Sequence, residues 1–212
     1  MPTAPNLSAK SRMTYAYLVD TALQLAAKGV LPSFAELQSQ TGLSRATIYR
    51  HFPGYSDLLA ALQTRSLRNL QDWNPTSSDI KRRMKQAVHL LYADLSIYEV
   101  LYRRILADSL SQMPTVERHE PATTKVRGNR LIIIDKVIQP LQGQVPDPVL
   151  QALKHELALL FGIEAFIVFR DILGLPTEEA EALLVGMALK LIDAVMPRTD
   201  AITPHPPLSA GT

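Results

Sequence analysis

Apolar residues recur at the start of the chain with the three- and four-residue spacing of an amphipathic helix. Over residues 12–28 they fall on one helical face, and Gly29 follows as a residue that favours a helix end. That face consists of Tyr15, Leu18, Val19, Ala22, Leu25 and Ala26. The pattern therefore predicts a first helix over residues 12–28.

Two short helices and a longer one are predicted next. Ser33 and Glu36 form an S-x-x-E capping box, in which each side chain accepts a hydrogen bond from the other residue's backbone N–H. Gly42 indicates the end of that helix, and Ser44 is placed to cap the one that follows. The sequence Phe-Pro-Gly ends this third helix, and a fourth is predicted over residues 56–72.

The remainder of the chain keeps the helical spacing and never changes to the apolar–polar alternation of a strand. Prolines, a glycine and capping residues mark the helix boundaries. The predicted helices cover residues 79–94, 97–110, 122–139, 148–173 and 177–196. The predicted fold class is therefore all-α.

The second and third helices have the spacing of a helix-turn-helix, which places the later of its two short helices in the major groove of DNA. Arg45 can donate two hydrogen bonds to a guanine, and Ala46 can touch a thymine methyl group. The other side chains of this helix that can reach DNA are Thr47, Tyr49, Arg50 and His51. Many helical proteins contain this geometry without binding DNA, so spacing and charge alone leave an ordinary solvated face as the alternative.

Residues 41–62, TGLSRATIYRHFPGYSDLLAAL, resemble the signature of the TetR (tetracycline-repressor type) family of bacterial transcription regulators, and residues 12–40 are similar to the first two helices of that family. The ordered G-L-S-x-x-T-I-Y-x-H-F is far more specific than a generic two-helix turn. The resemblance implies an N-terminal helix-turn-helix DNA-binding domain followed by a C-terminal helical ligand-binding and dimerisation domain.

The resemblance also implies roles for individual residues. Ser33 caps its helix and contacts phosphate, His51 contacts phosphate, and Arg45 and Ala46 face bases. Contacts to backbone or base are implied for Thr47 and Tyr49. The complete predicted DNA-binding set is Ser33, Ser44, Arg45, Ala46, Thr47, Tyr49, Arg50, His51 and Tyr55.

Two positions depart from the family pattern. Gln38 stands where the family usually has a small alanine packed under the turn, which predicts a slightly altered angle between the two short helices. Tyr55 stands where the family often has a phosphate-binding lysine, so a charge is lost although the hydroxyl can still donate a hydrogen bond. These departures are the only sequence features that favour a loss of operator recognition.

Charge is distributed unevenly along the chain. The formal net charge is +2, yet residues 1–70 hold seven Lys and Arg against three Asp and Glu, and the rest hold 15 against 17. The basic excess is a weak indication of a polyanionic partner. Lys10 and Arg12 are placed to reach phosphates, although a solvated, disordered arm is the favoured interpretation. The absence of cysteine excludes disulfides, thiolate zinc sites and cysteine nucleophiles.

The sequence predicts neither an export signal nor a membrane segment. Its start lacks the apolar core of a secretory signal. The longest apolar run, residues 157–169, is shorter than the ~20 residues that span a bilayer. We therefore expect a cytoplasmic protein with a flexible arm over residues 1–11, a helix-turn-helix domain over 12–56, a helical effector-binding and dimerisation domain over 57–196 and a disordered tail over 197–212.

Beyond about residue 70 the resemblance rests on the helical layout alone, and similar proteins use this part to bind a small molecule and to dimerise. Residues 157–169 and the last helix are apolar nearly all round, which predicts that each buries a second face in a partner subunit. A central place within one protomer is the alternative. Gly162 and Gly186 are expected to permit close helix approach. The predicted dimer-interface residues are Phe161, Phe166, Leu184, Ala188 and Leu191.

Candidate effector-binding residues are tyrosines at helical spacing and one carboxylate among apolar neighbours, namely Tyr92, Tyr98, Tyr102 and Glu164. Plain core packing is the alternative for the tyrosines. For Glu164, a salt bridge at the solvent edge or at the dimer interface competes with a ligand contact. A solvated first turn is predicted for the basic cluster Lys81, Arg82, Arg83 and Lys85.

Catalytic motifs are missing from the sequence. It contains no HExxH, GxxxxGK[ST], GxGxxG or GxSxG, and its five histidines show no i, i+4 pair, so we expect no enzymatic activity, cofactor or metal. The hypothesis is a homodimeric regulator that binds a palindromic double-stranded DNA operator and is released by a small-molecule effector. Repression is expected because release by a ligand is the common mode of the family. The alternatives are an activator, and a ligand-binding or interaction module without operator recognition.

Overall fold

The computed structural model describes residues 8–111 and 129–196, and over these residues the chain is helical and forms no strand. A 3₁₀ turn, Gln139–Leu141, follows the helix Asn129–Ile138, and a π-helical turn, Val168–Ile172, follows the helix Ile163–Ile167. The all-α prediction is confirmed. The α-helices are α1 (Ala9–Ala27), α2 (Phe34–Thr41), α3 (Arg45–His51), α4 (Tyr55–Ser66), α5 (Arg68–Asp72), α6 (Ile80–Ile97), α7 (Glu99–Ser111), α8 (Asn129–Ile138), α9 (Asp147–Leu160), α10 (Ile163–Ile167) and α11 (Thr177–Val195).

The predicted tail over 197–212 lies outside the described residues. So do residues 1–7 of the predicted arm and residues 122–128 of a predicted helix. The first helix begins at Ala9 rather than at residue 12, because Ser8 Oγ accepts a hydrogen bond from the Ser11 backbone N–H and caps it. In the two described segments, no helix has both the length and the apolar character needed to cross a bilayer.

Helices α1–α4 enclose one of two apolar cores, which we call the head. Helix α1 packs against α2 and α4, and α2 packs against α3. Leu101 of α7 completes this core, so the head takes in a residue far beyond the predicted boundary at residue 56. The other buried core side chains are Leu18, Val19, Ala22, Leu23, Ala26, Leu37, Ile48, Phe52, Leu58, Leu59 and Leu62.

The second core surrounds α6, and we call it the body. Helix α6 packs against α5, α7, α8 and α11, while α9 packs against α8 and α11. Tyr92 of α6 meets Phe166 of α10 edge-on, with ring centroids 5.5 Å apart. The buried inner face of α6 consists mainly of Met84, Ala87, Val88, Leu91 and Leu95.

Helix α7 joins the two cores. Leu101 is buried in the head, and Tyr102, the next residue, is buried in the body. Ser66 Oγ of α4 shares a 2.9 Å hydrogen bond with the Tyr102 hydroxyl. Burial raises the pKa of the Tyr102 phenol above its usual range. Any displacement of α7 therefore acts on head and body together.

The predicted single helix over residues 148–173 is wrong, because the chain leaves the helical conformation at Phe161 and Gly162. Phe161 has ψ 95°, and Gly162 has φ 160° and ψ 174°. A β-carbon on Gly162 would lie 2.7 Å from a nitrogen of the Arg130 guanidinium. Gly162 thus permits the approach of a side chain, not of another helix. The predicted helix over residues 56–72 likewise divides at Leu67 into α4 and α5.

Four of the five predicted dimer-interface residues are enclosed within the protomer, at no more than 1% exposure: Phe161, Phe166, Leu184 and Ala188. A side chain without accessible surface does not contact a partner, so the prediction is wrong for these four, and the alternative of a central place in the protomer describes them. Leu191 is partly exposed. The large apolar residues that α11 leaves exposed are Leu183 and Met187.

Arg83 corrects the prediction of a solvated first turn for the basic cluster of α6. Its side chain is buried, and its guanidinium donates hydrogen bonds to the Ser77 and Lys136 backbone carbonyls and to Gln139 Oε1. Arg83 therefore holds the segment that precedes α6 against the end of α8. The other three members of the cluster are exposed, as the sequence predicts.

Candidate nucleic-acid interface

The N-terminus of α2 is closed by the predicted capping box. Ser33 Oγ accepts a hydrogen bond from the Glu36 backbone N–H at 3.1 Å, and the Glu36 carboxylate accepts one from the Ser33 backbone N–H at 2.8 Å. The cap occupies a lone pair of Ser33 Oγ and leaves the hydroxyl proton available to donate. A phosphate contact by Ser33 is therefore compatible with its capping role.

The turn between α2 and α3 is held in one conformation. Gly42 has φ 68°, in the left-handed region that glycine adopts without a steric penalty. Thr41 Oγ1 donates to the Leu37 carbonyl at 2.6 Å and accepts from the Leu43 backbone N–H at 3.3 Å. Gln38 is exposed rather than packed under the turn, so its size gives no steric reason for the altered helix angle that the sequence predicts.

Helix α3 presents its first turn to solvent. Ser44 Oγ caps it by accepting a hydrogen bond from the Thr47 backbone N–H at 3.3 Å, and it lies 3.0 Å from Thr47 Oγ1. Arg45, Ala46 and Arg50 are exposed. In the part of the chain that the structure describes, neither guanidinium of α3 is paired with a carboxylate. Both positive charges are therefore available to a ligand outside the protein.

A row of aromatic rings leads from α3 to α7. Tyr49 meets Phe34 edge-on with centroids 4.9 Å apart, and Phe34 meets Tyr55 at 6.1 Å. The guanidinium carbon of Arg104 lies 5.3 Å from the centre of the Tyr55 ring. Burial raises the pKa of the Tyr55 phenol. Sequence reasoning missed Phe34 and Arg104, because no spacing rule places a residue of α7 over the first residue of α4.

His51 lies at the end of α3 between aromatic neighbours. Its ring centroid is 6.1 Å from that of Tyr15 and 6.5 Å from that of Phe52. Nε2 is buried and has no hydrogen-bond partner among the described residues. Burial and, second, the charge of Arg50 lower the pKa of the imidazole. The ring is therefore neutral at pH 7, and Nδ1 is the nitrogen left for the predicted phosphate contact.

The four predicted effector-binding residues do not come together. Tyr92 lies in the body core. Glu164 is half-exposed and accepts hydrogen bonds from Arg130 at 2.8 and 2.9 Å, so the solvent-edge salt bridge weighed from the sequence is the arrangement observed. Tyr98 and Tyr102 are one helical turn apart, and Tyr98 packs against both cores.

A cleft of about 430 Å³ opens at this junction of head and body, and Tyr98 lines it. The sequence analysis missed another lining residue, Asp94, which is buried. A usable signal existed, because Asp94 falls on the apolar face of its helix beside Leu91 and Leu95. The cleft is bounded by α1, α4 and α5 on one side and by the end of α6 on the other.

No family model and no curated protein matches this sequence. Among solved structures, the fold is similar to the crystal structure of a TetR-family transcriptional regulator from Streptomyces coelicolor, with a TM-score of 0.67 and 19% sequence identity, over 89% of this chain and 83% of that chain. Both the sequence and the structure thus describe a helical head with an exposed α3, joined to a larger helical body. The chain has the fold of TetR-family regulators, and the resemblance noted in residues 41–62 is confirmed at the level of the fold.

Proposed function

We propose that this protein is a TetR-like transcription regulator that binds a palindromic DNA operator as a homodimer and is released by a small molecule. The exposed first turn of α3 is the observation that carries the proposal: Ser44 caps this helix, and Arg45, its first residue, is exposed and forms no ion pair with a described carboxylate. A fold by itself does not specify function. The likeness of fold and the specific G-L-S-x-x-T-I-Y-x-H-F sequence together favour DNA binding over a solvated face.

In the proposed complex α3 lies in the major groove. Arg45 donates two hydrogen bonds to a guanine, and Ala46 contacts the neighbouring base pair. Thr47 and Tyr49 contact the DNA backbone or a base. The remaining predicted residues hold the phosphate backbone and fix the position of α3 without reading the sequence. These are Ser33, Ser44, Arg50, His51 and Tyr55.

A stripe of α11 supports the proposal of a homodimer. Leu183, Gly186 and Met187 follow the i, i+3, i+4 spacing of one helix face, and both large side chains are exposed. A β-carbon at Gly186 would meet no atom within 4 Å, so a partner helix can approach there. A two-fold dimer formed through this stripe places two copies of α3 for paired half-sites about one helical turn, or a multiple of it, apart.

The proposed effector acts by changing the spacing of the two heads. Such coupling requires that the effector bind one spacing better than the other. Repression then follows from occlusion of the promoter by the bound dimer. In a reporter strain with the operator inside the promoter, removal of the protein is expected to raise expression, whereas a fall would make the protein an activator.

Selection of genomic DNA fragments by the purified protein at two salt concentrations, followed by footprinting, tests the proposal. Charge-driven binding weakens steeply with salt, whereas specific sites remain occupied. We expect a protected palindrome with two half-sites. Arg45→Ala is expected to weaken binding to this site, whereas Arg82→Ala, which removes an exposed charge of α6, is the matched control and is expected to bind as the wild type does. Weak, sequence-indifferent binding that disappears with salt would overturn the proposal and favour a ligand-binding or interaction module.

A further inference from the structure

A buried carboxylate with unmet hydrogen-bonding capacity lines the cleft between head and body. Asp94 is 7% exposed, and its Oδ2 accepts no hydrogen bond from any described residue. Burial raises the pKa of Asp94 to about 6. A carboxylate in this situation costs free energy unless a donor reaches it, and in a cleft the donor can come from a ligand.

The cationic groups of the cleft already have partners. Arg65 Nε donates to Asp20 Oδ1 at 3.0 Å, and Arg68 Nε lies 3.4 Å from a carboxylate oxygen of Asp72. Neither arginine therefore compensates Asp94. The unmet requirement of the cleft is a positively charged donor directed at Asp94.

We propose that this cleft binds a small organic molecule that carries a protonated amine, with the ammonium donating to Asp94 and the apolar part lying against Leu23 and Tyr98. Both residues line the cleft, and the Tyr98 ring offers the large apolar surface that the carbon part of such a molecule needs. A volume of about 430 Å³ corresponds to the smaller ligand sites of proteins. We infer an amine rather than an anion because the uncompensated group of the cleft, the Asp94 carboxylate, is negatively charged when ionised.

The position of the cleft gives the amine a regulatory consequence. Helices α1 and α4 belong to the head, whereas Asp94 belongs to the body, so an occupant contacts both and favours one orientation of the head. The claim that the cleft is an effector site rests on the proposed function. The claim that the cleft binds an amine does not.

Titration calorimetry of the full chain without DNA tests the proposal. Tryptamine and phenethylamine are compared with tryptophol and phenethyl alcohol, in which a neutral hydroxyl replaces the ammonium group. We expect saturable binding of at least one amine, with the matching alcohol and Asp94→Asn each weakening affinity about 10- to 100-fold. Asp193→Asn, which removes a carboxylate paired with Lys81 outside the cleft, is expected to bind the amine as the wild type does.

Thermal unfolding of Asp94→Asn establishes that the variant is folded before its binding is compared. Absence of saturable amine binding, or equal affinity in wild type and Asp94→Asn, would overturn the amine site. If the amine binds as expected while genomic selection yields no specific operator, the site stands and the proposed regulator function fails. A specific operator together with no amine binding refutes the site and leaves the regulator intact.

Discussion

The Arg104 guanidinium lies over the Tyr55 ring, 5.3 Å from its centre, and so connects α7 to the first turn of α4. At the position of Tyr55, the family that residues 41–62 resemble often has a phosphate-binding lysine. In this chain Tyr55 instead supplies an aromatic ring that packs between Phe34 and Arg104. The ring and the hydroxyl of Tyr55 therefore have separable roles.

Tyr55→Phe is expected to keep the free energy of unfolding, because the ring contacts remain. Arg104→Ala is expected to lose about 0.5 to 1 kcal/mol, the usual strength of an exposed cation–π contact. Urea denaturation of the two variants measures both values. Operator affinity of Tyr55→Phe then reports on the hydroxyl alone, and unchanged affinity would remove Tyr55 from the predicted phosphate contacts.

Arg45→Ala is expected to cost about 1 to 3 kcal/mol at a single base pair and to relax the sequence preference there, because a bidentate contact to guanine is lost. Arg50→Ala serves as the comparison, since loss of a phosphate contact weakens binding to all sequences alike. Competition binding with operators substituted at each position distinguishes the two outcomes. An operator preference that Arg45→Ala leaves intact would exclude this residue from base readout.

Leu183→Lys combined with Met187→Lys is expected to shift the protein to monomers without unfolding it. Both side chains are exposed in the protomer, so new charges there disturb only a subunit contact. Sedimentation velocity measures the association state, and circular dichroism verifies the helices. Leu184→Lys is an unsuitable probe, because Leu184 is buried and its substitution disrupts the body core. A double variant that remains dimeric would exclude this face of α11.

His51, whose pKa burial lowers in the free protein, predicts that operator affinity rises as the pH falls. The free protein holds the ring neutral at pH 7, and a neighbouring phosphate favours the protonated ring, so binding takes up a proton. Uptake of one proton raises affinity by at most about tenfold per pH unit. Fluorescence anisotropy between pH 5.5 and 8 measures the slope. His51→Gln is expected to flatten it, and an equal slope in that variant would place the proton elsewhere.

Asp94→Asn is expected to raise the free energy of unfolding at pH 7.5 by roughly 1 to 3 kcal/mol, because the buried carboxylate is ionised there at a cost. The pKa of about 6 in the folded chain lies above the usual range of an aspartate. Between pH 4 and 6 the folded state therefore keeps a proton that the unfolded state releases, and wild-type stability falls as the pH rises through this window. Denaturation at several pH values should show the advantage of the variant shrinking toward pH 4. If the difference in free energy of unfolding between variant and wild type did not change with pH, the pKa of Asp94 would not be raised in the folded state, and a partner would have to stabilise its carboxylate.

Local signals were sufficient for the head. The capping box at Ser33, the glycine turn at Gly42 and the cap at Ser44 each concern residues within four positions of one another. Their geometry is settled by backbone chemistry that sequence spacing expresses directly. Arg45 is exposed because it is the first residue of α3, directly after the Ser44 cap.

Periodicity was less informative for the body. An apolar run does not say whether a second face meets another helix of the same chain or a partner subunit, and Leu184 and Ala188 proved to be internal. At the break, the Arg130 guanidinium of α8, distant in sequence, lies where a β-carbon on residue 162 would meet it. Contacts of this kind depend on three-dimensional packing, which no helical pattern encodes.

Leu101 and Tyr102 are consecutive residues buried in two different cores. A fragment that ended after α4 would lack the side chain that completes the head and would expose the apolar surface beneath it. We therefore expect such a fragment to be less stable than the head within the whole chain. Unfolding of the head or of the body removes side-chain contacts that stabilise the other. The chain is therefore expected to unfold in one cooperative transition.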